Sequence, residues 1–442
     1  MGRLADGFRG EIVRPDDPGY DAARAVWNNM IDRRPALIVR PAGVEDVQTA
    51  LRYARQNDLV IAVRCGGHSI PGFSTCDDGI VMDLSLIRGV EVDPERRIAR
   101  VRGGSLLAQL DDAAQAHGLV CPVGVVSHTG VAGLTLGGGM GRLQRKLGLT
   151  IDSLLAVELV TADGSVVRAS DDENPELFFG MRGAGANFGI VTSFEFRLHP
   201  FDGVVTHGSV RLPIERAEAL AERYRELVEE GPDELWTAFG LATEAGQPVA
   251  TVSVLHSGTP ADAERDLAGL RALAEDGSIE SKSYLATQRL FDAPMEWGQR
   301  FSMKSAFLDE LPPALVHDWV DQLADVPEGA DGGFSIWAWG RAIADVPDAE
   351  TAFTGRNAAF WVGAEIQWHD DALDDACRPW ARAAADTASP YAATGRYVND
   401  VAEVEDGVAR SIYGDAKYDR LVALKRDWDP DNVFRLNQNI KP

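Results

Sequence analysis

Apolar and polar positions alternate in short blocks along the first two hundred residues. Ala36-Leu37-Ile38-Val39-Arg40-Pro41 reads as a short strand closed by proline. Val44 to Asn57 has helical spacing, with Val44, Val47, Leu51 and Ala54 on one face and Glu45 and Asp46 in the first turn. Leu59–Val63 is a second apolar run, so the unit is strand–helix–strand and parallel pairing is expected. Gly79–Leu84 and Arg97–Val101 are strand-like, and Ser105 to His117 reads as a helix ended by Gly118. Ser153–Thr161 and Val166–Arg168 flank the hairpin signal Asp163-Gly164, and Gly189–His199 forms a later strand. A lead-in over residues 1–35 carries one predicted helix at Tyr20–Ile31.

The character changes near Phe201. Helical stretches at Ile214–Glu230 and Ala261–Ala274 alternate with strands at Pro248–Leu255, Phe334–Trp339 and Phe360–Trp368. Most of the ten tryptophans fall here. Such alternation suits an antiparallel sheet with helices on one face and aromatics on the other. The predicted division is 1–200, 201–385 and a C-terminal segment 386–442.

Two stretches carry candidate chemistry. Arg64-Cys65-Gly66-Gly67-His68-Ser69 follows a buried-strand pattern and puts a histidine at the strand's end. On these six residues alone a tight turn with a solvent-facing histidine reads equally well. Between Gly130 and Gly141 lie six glycines, with Val, Leu and Thr interleaved. That pattern suits close backbone approach to an extended ligand, with N–H groups free for phosphate oxygens. A dinucleotide fingerprint fails, because in Gly183-Ala184-Gly185-Ala186-Asn187-Phe188-Gly189 the third glycine comes one residue late and opens a strand. There is no GxxxxGK[ST], Pro71 stands where a nucleophile elbow needs glycine, and no HExxH spacing supports a metal.

Composition narrows the partners. The net charge of −25 argues against nucleic acid and anionic membrane surfaces. It is compatible with a salt-rich cytoplasm. No signal-peptide pattern and no apolar run near 18 residues is seen, so a cytoplasmic location is expected. Cys65, Cys76, Cys121 and Cys377 form no CxxC pair and read as free thiols.

Arg64–Ser69, the run Ser127–Gly141 and the terminal Asn437-Gln438-Asn439 together resemble the flavin-binding core of the vanillyl-alcohol-oxidase superfamily, more narrowly the berberine-bridge-enzyme-like FAD-linked oxidases. The similarity covers residues 35–200 and 390–442 well and the middle loosely. It implies an α+β fold: a two-subdomain FAD-binding domain of the PCMH type, a substrate domain of antiparallel sheet covered by helices, and a C-terminal return to the FAD domain. It implies FAD contacts from Arg64, Cys65, Gly66, Gly67, His68, Ser69, Val126, Ser127, Thr129, Gly130, Gly133, Leu134, Gly137, Gly138, Gly139, Gly141, Leu149, Gly189, Val191, Asn399, Asn437 and Asn439.

In that family the histidine equivalent to His68 is joined to the flavin 8α-methyl group. A neutral imidazole is a competent nucleophile near neutral pH. The family's frequent second link, through cysteine, falls at Val126, and Cys121 lies five residues upstream, so the resemblance implies one link through His68 only. Thr129 stands at the family's oxygen-gating position, and its small side chain leans towards an oxidase.

The implied reaction takes a hydride from a carbon bearing OH or NH in a sugar, alcohol or secondary-metabolite substrate, with O2 as acceptor and H2O2 as product. Strand alternation puts Glu365 and Gln367 on one face, and Ser335, Trp337 and Trp339 on one face of a neighbouring strand. These tryptophans suit either a substrate wall or core packing. Tyr397 is the remaining candidate, as a tyrosinate base. A same-fold dehydrogenase with another acceptor stays open, as does a non-catalytic flavin- or ligand-binding protein, which Glu365, Gln367 and Tyr397 argue against.

Overall fold

The computed structural model describes residues 4, 7–244, 247–273 and 279–442. Its first sheet contains β1 (Glu11–Val13), β2 (Leu37–Arg40), β3 (Ile61–Arg64) and β4 (Ile80–Asp83) in the order β1-β2-β4-β3. β2 and β3 do not pair with each other, because β4 lies between them and runs parallel to both. The helix Val44–Gln56 covers this sheet. Val47, Ala50, Leu51 and Ala54 are buried, whereas Val44 is only half-buried. Its acidic first turn does more than face the helix dipole: the buried Asp46 accepts the N–H groups of Arg9 and Ala42 at 3.0 and 2.9 Å.

The next strands are β5 (Val90–Asp93), β6 (Ile98–Arg102), a two-residue β7 (Leu119–Val120), β8 (Leu154–Val160), β9 (Val166–Ser170), β10 (Ile190–Arg197) and a two-residue β11 (His199–Pro200). Five of them form an antiparallel sheet, β5-β6-β10-β8-β9, and β7 pairs with β11. The hairpin between β8 and β9 turns at Asp163-Gly164, with Gly164 at φ +89°.

The third sheet is antiparallel and seven-stranded. It comprises β12 (Val204–Pro213), β13 (Leu235–Glu244), β14 (Gln247–His256), β15 (Ile279–Ser283), β16 (Arg300–Leu308), β17 (Ala330–Ala338) and β18 (Phe360–Trp368), in the order β15-β12-β14-β13-β17-β18-β16. Its two faces have separate cores. Phe334, Ile336, Val362, Ala364, Ile366 and Trp368 pack under the helices Ala217–Glu230, Pro260–Arg271, Pro313–Gln322 and Asp374–Ala388. Trp236, Phe301, Met303, Trp337 and Trp361 pack on the opposite face, towards the glycine-rich run. The predicted helix at 261–274 has its last residue outside the described residues. No helix among the described residues is long and apolar enough to cross a membrane.

The predicted helix Tyr20–Ile31 is a correction. It stops at Arg24, and Ala25 has ψ 146°. Beyond it, Trp27 N donates to Gly67 O at 3.1 Å, and Asn28 Nδ2 reaches Ile70 O and Phe301 O. These tertiary bonds outcompete a helix whose intrinsic preference is small.

Candidate active site

β3 delivers the chain to Cys65-Gly66-Gly67-His68 at its C-terminal end, and there the glycine-rich run crosses it. The crossing is backbone on backbone. A Cβ built on Gly66 would stand 2.2 Å from Gly130 N, and one on Gly130 would stand 2.5 Å from Cys65 Sγ. Any side chain at either position would push the two segments apart.

The segments wall a cavity of about 450 Å³ that continues to the aromatic face of the third sheet and to the C-terminal segment. Cys65, Gly66, Gly67, His68, Ser69, Val126, Thr129, Gly130, Gly133, Leu134, Gly137, Gly189, Val191, Glu365, Tyr397, Asn399 and Asn437 all line it. Eight other candidates do not. Arg64 is buried against Asp83 (2.9 Å), Ala23 O and Ala25 O, so its charge holds the strand end. Ser127 is occupied twice by Asp292, through N at 2.8 Å and Oγ at 2.6 Å. Gly138, Gly139 and Gly141 pack against Phe353, Thr150 and Val123 behind the wall. Leu149 is fully buried in the apolar cluster with Trp337. Asn439 lies outside the lining, with its Oδ1 buried. Gln367 shares the register face of Glu365 but lies opposite Phe301 and Asp331, beyond the cavity's edge.

His68 has a partner that spacing does not announce. Its Nε2 lies 2.7 Å from His128 Nδ1, and its ring stacks on Trp27 with centroids 5.1 Å apart. Burial, and then the neighbouring His128, push its pKa down to about 3, so the ring is neutral at physiological pH. Cys65 Sγ donates to Ser105 O, and burial raises its thiol to about 11, an inert filler beside Gly130. All four cysteines are free.

Tyr397 does not suit a base. Burial drives its phenol well above the ordinary range, and its oxygen accepts from Gly139 N (3.2 Å) and Asn399 Nδ2 (2.9 Å). Glu365 is better placed: burial alone raises its carboxyl to about 7. The tryptophans divide. Trp337 and Trp361 line the cavity, while Trp339 is buried with Phe307 and Phe353. Asp400, directly after Tyr397-Val398-Asn399, also lines it, with its Oδ2 accepting from Trp361 Nε1 at 3.0 Å. Neither His128 nor Asp400 was a sequence candidate; the only available signal was adjacency to motifs already singled out.

The walls fit a dinucleotide. A Cβ on Gly133 would meet nothing within 4 Å, so the run presents bare backbone to the cavity. Asn437 Oδ1 and Asn439 Oδ1 are buried without partners. No lysine or arginine occurs among the lining residues, so a diphosphate there would be held by N–H groups and amides.

A chain with a glycine-walled dinucleotide cavity, roofed by an aromatic antiparallel sheet, is a flavoprotein of the two-subdomain FAD-binding fold. Comparison agrees. Residues 35–170 match the FAD binding domain family and residues 396–441 the berberine and berberine-like family. The chain is 33% identical over 450 residues to (R)-6-hydroxynicotine oxidase of Paenarthrobacter nicotinovorans, covering 98% of this chain and 97% of that protein. It is 30% identical over 433 residues to an FAD-linked oxidoreductase of Dictyostelium discoideum, covering 94% and 91%. The crystal structure of 6-hydroxy-D-nicotine oxidase from Arthrobacter nicotinovorans superposes with a TM-score of 0.92 at 31% identity, covering 100% and 99%. A berberine-bridge-enzyme-like protein of Physcomitrella patens gives 0.91 at 27%, covering 99% and 98%. The chain belongs to the berberine-bridge-enzyme-like FAD-linked oxidoreductases, and its cofactor is FAD.

Proposed function

We propose that the chain is an oxidase of a small molecule, removing a hydride from a carbon that bears OH or NH and passing the electrons to O2 to give H2O2. FAD supplies the two-electron acceptor when bound. The chain's own residues divide the remaining work. His68, neutral and facing the cavity beside His128, is the single covalent tether; Val126 stands where a second tether would need a thiol. Glu365 takes the substrate's OH or NH proton, because a carboxyl near 7 exchanges protons at physiological pH. Trp337 and Trp361 hold the substrate's apolar part. Thr129 leaves room for oxygen. In this reading residues 1–200 bind FAD, 201–385 bind substrate, and 386–442 return to the FAD lobe.

The observation that carries the reading is the single cavity shared by His68 and Glu365. A panel of sugars, phenolic alcohols and amines, assayed side by side for H2O2 release and for dye reduction, tests it. At least one compound should give peroxide at a rate comparable to dye reduction. Rapid dye reduction with negligible peroxide would leave a dehydrogenase; no turnover of any class would leave a binding protein.

A further inference from the structure

The cavity wall beside His68 is closed by a connection of the third sheet that is barely anchored. Between the helix Tyr284–Gln288 and β16, residues 289–298 run over the β3 turn and the start of the glycine-rich run, with neither helix nor strand. None of these residues is buried, and Leu290 and Trp297 are each 47% exposed. The two glutamines that flank the span are buried and pinned. Gln288 donates to Gly124 O at 2.9 Å and accepts from Arg142 Nη1, and Gln299 O accepts Asn29 N at 2.8 Å. The connection is therefore a strap with fixed ends and a weakly packed span.

What holds the span down is a short set of contacts. Asp292 accepts Ser127 N at 2.8 Å and Ser127 Oγ at 2.6 Å. Met295 lines the cavity, and its carbonyl takes the Trp27 Nε1–H at 2.7 Å. Trp297 stands edge-on to His68 with centroids 6.3 Å apart, and its Cη2 would lie 3.0 Å from a Cβ on Gly67. Phe291 lies 5.1 Å from Arg142 Cζ, next to the pinned end. Arg289 pairs with Asp112 at 2.6 Å, but both are half-exposed, and such a pair is worth little. Asp292 is the one charged group in the set that bonds twice to the opposite wall, which makes it the latch. Gly298, at φ +96° and with no heavy atom within 4 Å of an added Cβ, gives the span a free pivot beside Trp297.

We propose that residues 289–298 are the gate of the cavity: the span lifts when Asp292 leaves Ser127, small molecules pass beside His68, and the latch closes behind them. The inference rests on reading this cavity as the substrate site. Lifting the span takes Met295 and Trp297 out of the wall and leaves its neighbours in place. Trp27 is still held by Gly67 O through its backbone N, and Phe301 by Asn28 Oδ1. Closure keeps bulk water away from His68 and Glu365, which face the same cavity. The latch joins the third sheet's connection directly to the Ser127–Thr129 turn, so entry and the wall that carries His128 are coupled through one pair of side chains.

The test locks the span. Ser127→Cys combined with Asp292→Cys sets two thiols where the latch now bonds; the bridge is verified by intact mass and cut with a phosphine reductant that is then removed. The probe is sodium dithionite under nitrogen, with bleaching of the flavin absorbance followed in the FAD-containing protein. The bridged form should bleach at least fivefold more slowly than the unaltered protein, and cutting the bridge should restore the rate to within twofold. Asp292→Ala, which has lost the latch, should bleach at least threefold faster. Hydrogen exchange of residues 289–298, which needs no flavin signal, should slow in the bridged form and quicken in Asp292→Ala while β16 stays unchanged. Bleaching rates within twofold across the bridged, unaltered and Asp292→Ala proteins overturn the proposal. If the double variant does not fold or bridge, Asp292→Ala against the unaltered protein decides alone. Gated bleaching without oxidation of any compound in the panel would spare this inference and defeat the oxidase reading. Turnover of a panel compound at full rate with the bridge closed would do the opposite.

Discussion

A hydrogen bond of 2.7 Å between two imidazoles requires one N–H and one lone pair. The contact therefore couples the two tautomers, one ring donating and the other accepting. In the arrangement where His68 Nε2–H donates to His128, the lone pair of His68 sits on Nδ1, ready as a nucleophile. His68→Ala should abolish covalent flavin: after acid precipitation all yellow colour should move to the supernatant. His128→Ala should leave FAD bound but lower the covalently retained fraction severalfold, because the reactive tautomer is no longer held. Full retention in His128→Ala would show that the pair has no part in attachment. The proton-transfer assignment is checked at the same scale. Glu365→Gln should lower kcat by about 10²-fold or more, the ordinary worth of a positioned base, whereas Tyr397→Phe should cost much less, since its phenol is held protonated. His68 was legible because a strand pattern ends at it and glycines follow the motif. His128 and Asp400 were not. A single polar residue beside a motif has no period to mark it, and its meaning lies in a contact across 60 residues for His128 and 39 residues for Asp400.

Elements position these groups, and the C-terminal return depends on a buried ion pair. Lys425, at the end of the helix Asp415–Trp428, is fully buried and donates to Asp429 Oδ2 at 2.7 Å, Asn187 O at 2.8 Å and Phe434 O at 2.9 Å. Asp429 in turn accepts Val433 N and Phe434 N. Asn187 Oδ1 takes Ile440 N. The segment bearing Asn437 and Asn439 is thus clamped at both ends. Lys425→Met leaves Asp429 buried without its cation and should cost about 3–5 kcal/mol, visible as a lower denaturant midpoint. An unchanged midpoint would assign the clamp elsewhere. The Asn motif was readable from sequence, but its clamp was not, because lysine is rarely buried and nothing in its neighbours marks this one. The alternation along Phe360–Trp368 was readable to the residue, because one face meets helices and the other meets the cavity. The 20–31 segment misled, because amphipathic spacing cannot report backbone bonds to Gly67.

At the scale of the whole molecule, three sheets meet at one cavity, and the neighbour order that makes it, β17-β18-β16 above the β3 turn, follows from long-range pairing that no local pattern encodes. Assembling it confines titratable groups whose preferences oppose each other. Glu365 and Asp400 have folded pKa values raised to about 7. Their stability contribution is complete below their unfolded values near 4 and is lost as pH rises through 7. His68 is depressed to about 3, so its contribution is present above its unfolded value near 6.5 and fades as pH falls below that. Between pH 5 and 8 the carboxyls dominate, because two groups lose stability across the range while the opposing gain from the single His68 ends near 6.5, where the unfolded imidazole loses its proton. Melting temperature should therefore fall from pH 5.5 to pH 8. A carboxyl moved by two to three pH units corresponds to about 3 kcal/mol, so Glu365→Gln should flatten much of that slope, and Asp400, relieved of its neighbour, should titrate lower. Melting curves of the unaltered chain and Glu365→Gln that fall in parallel across this range would mean that burial does not hold Glu365 protonated in the folded protein.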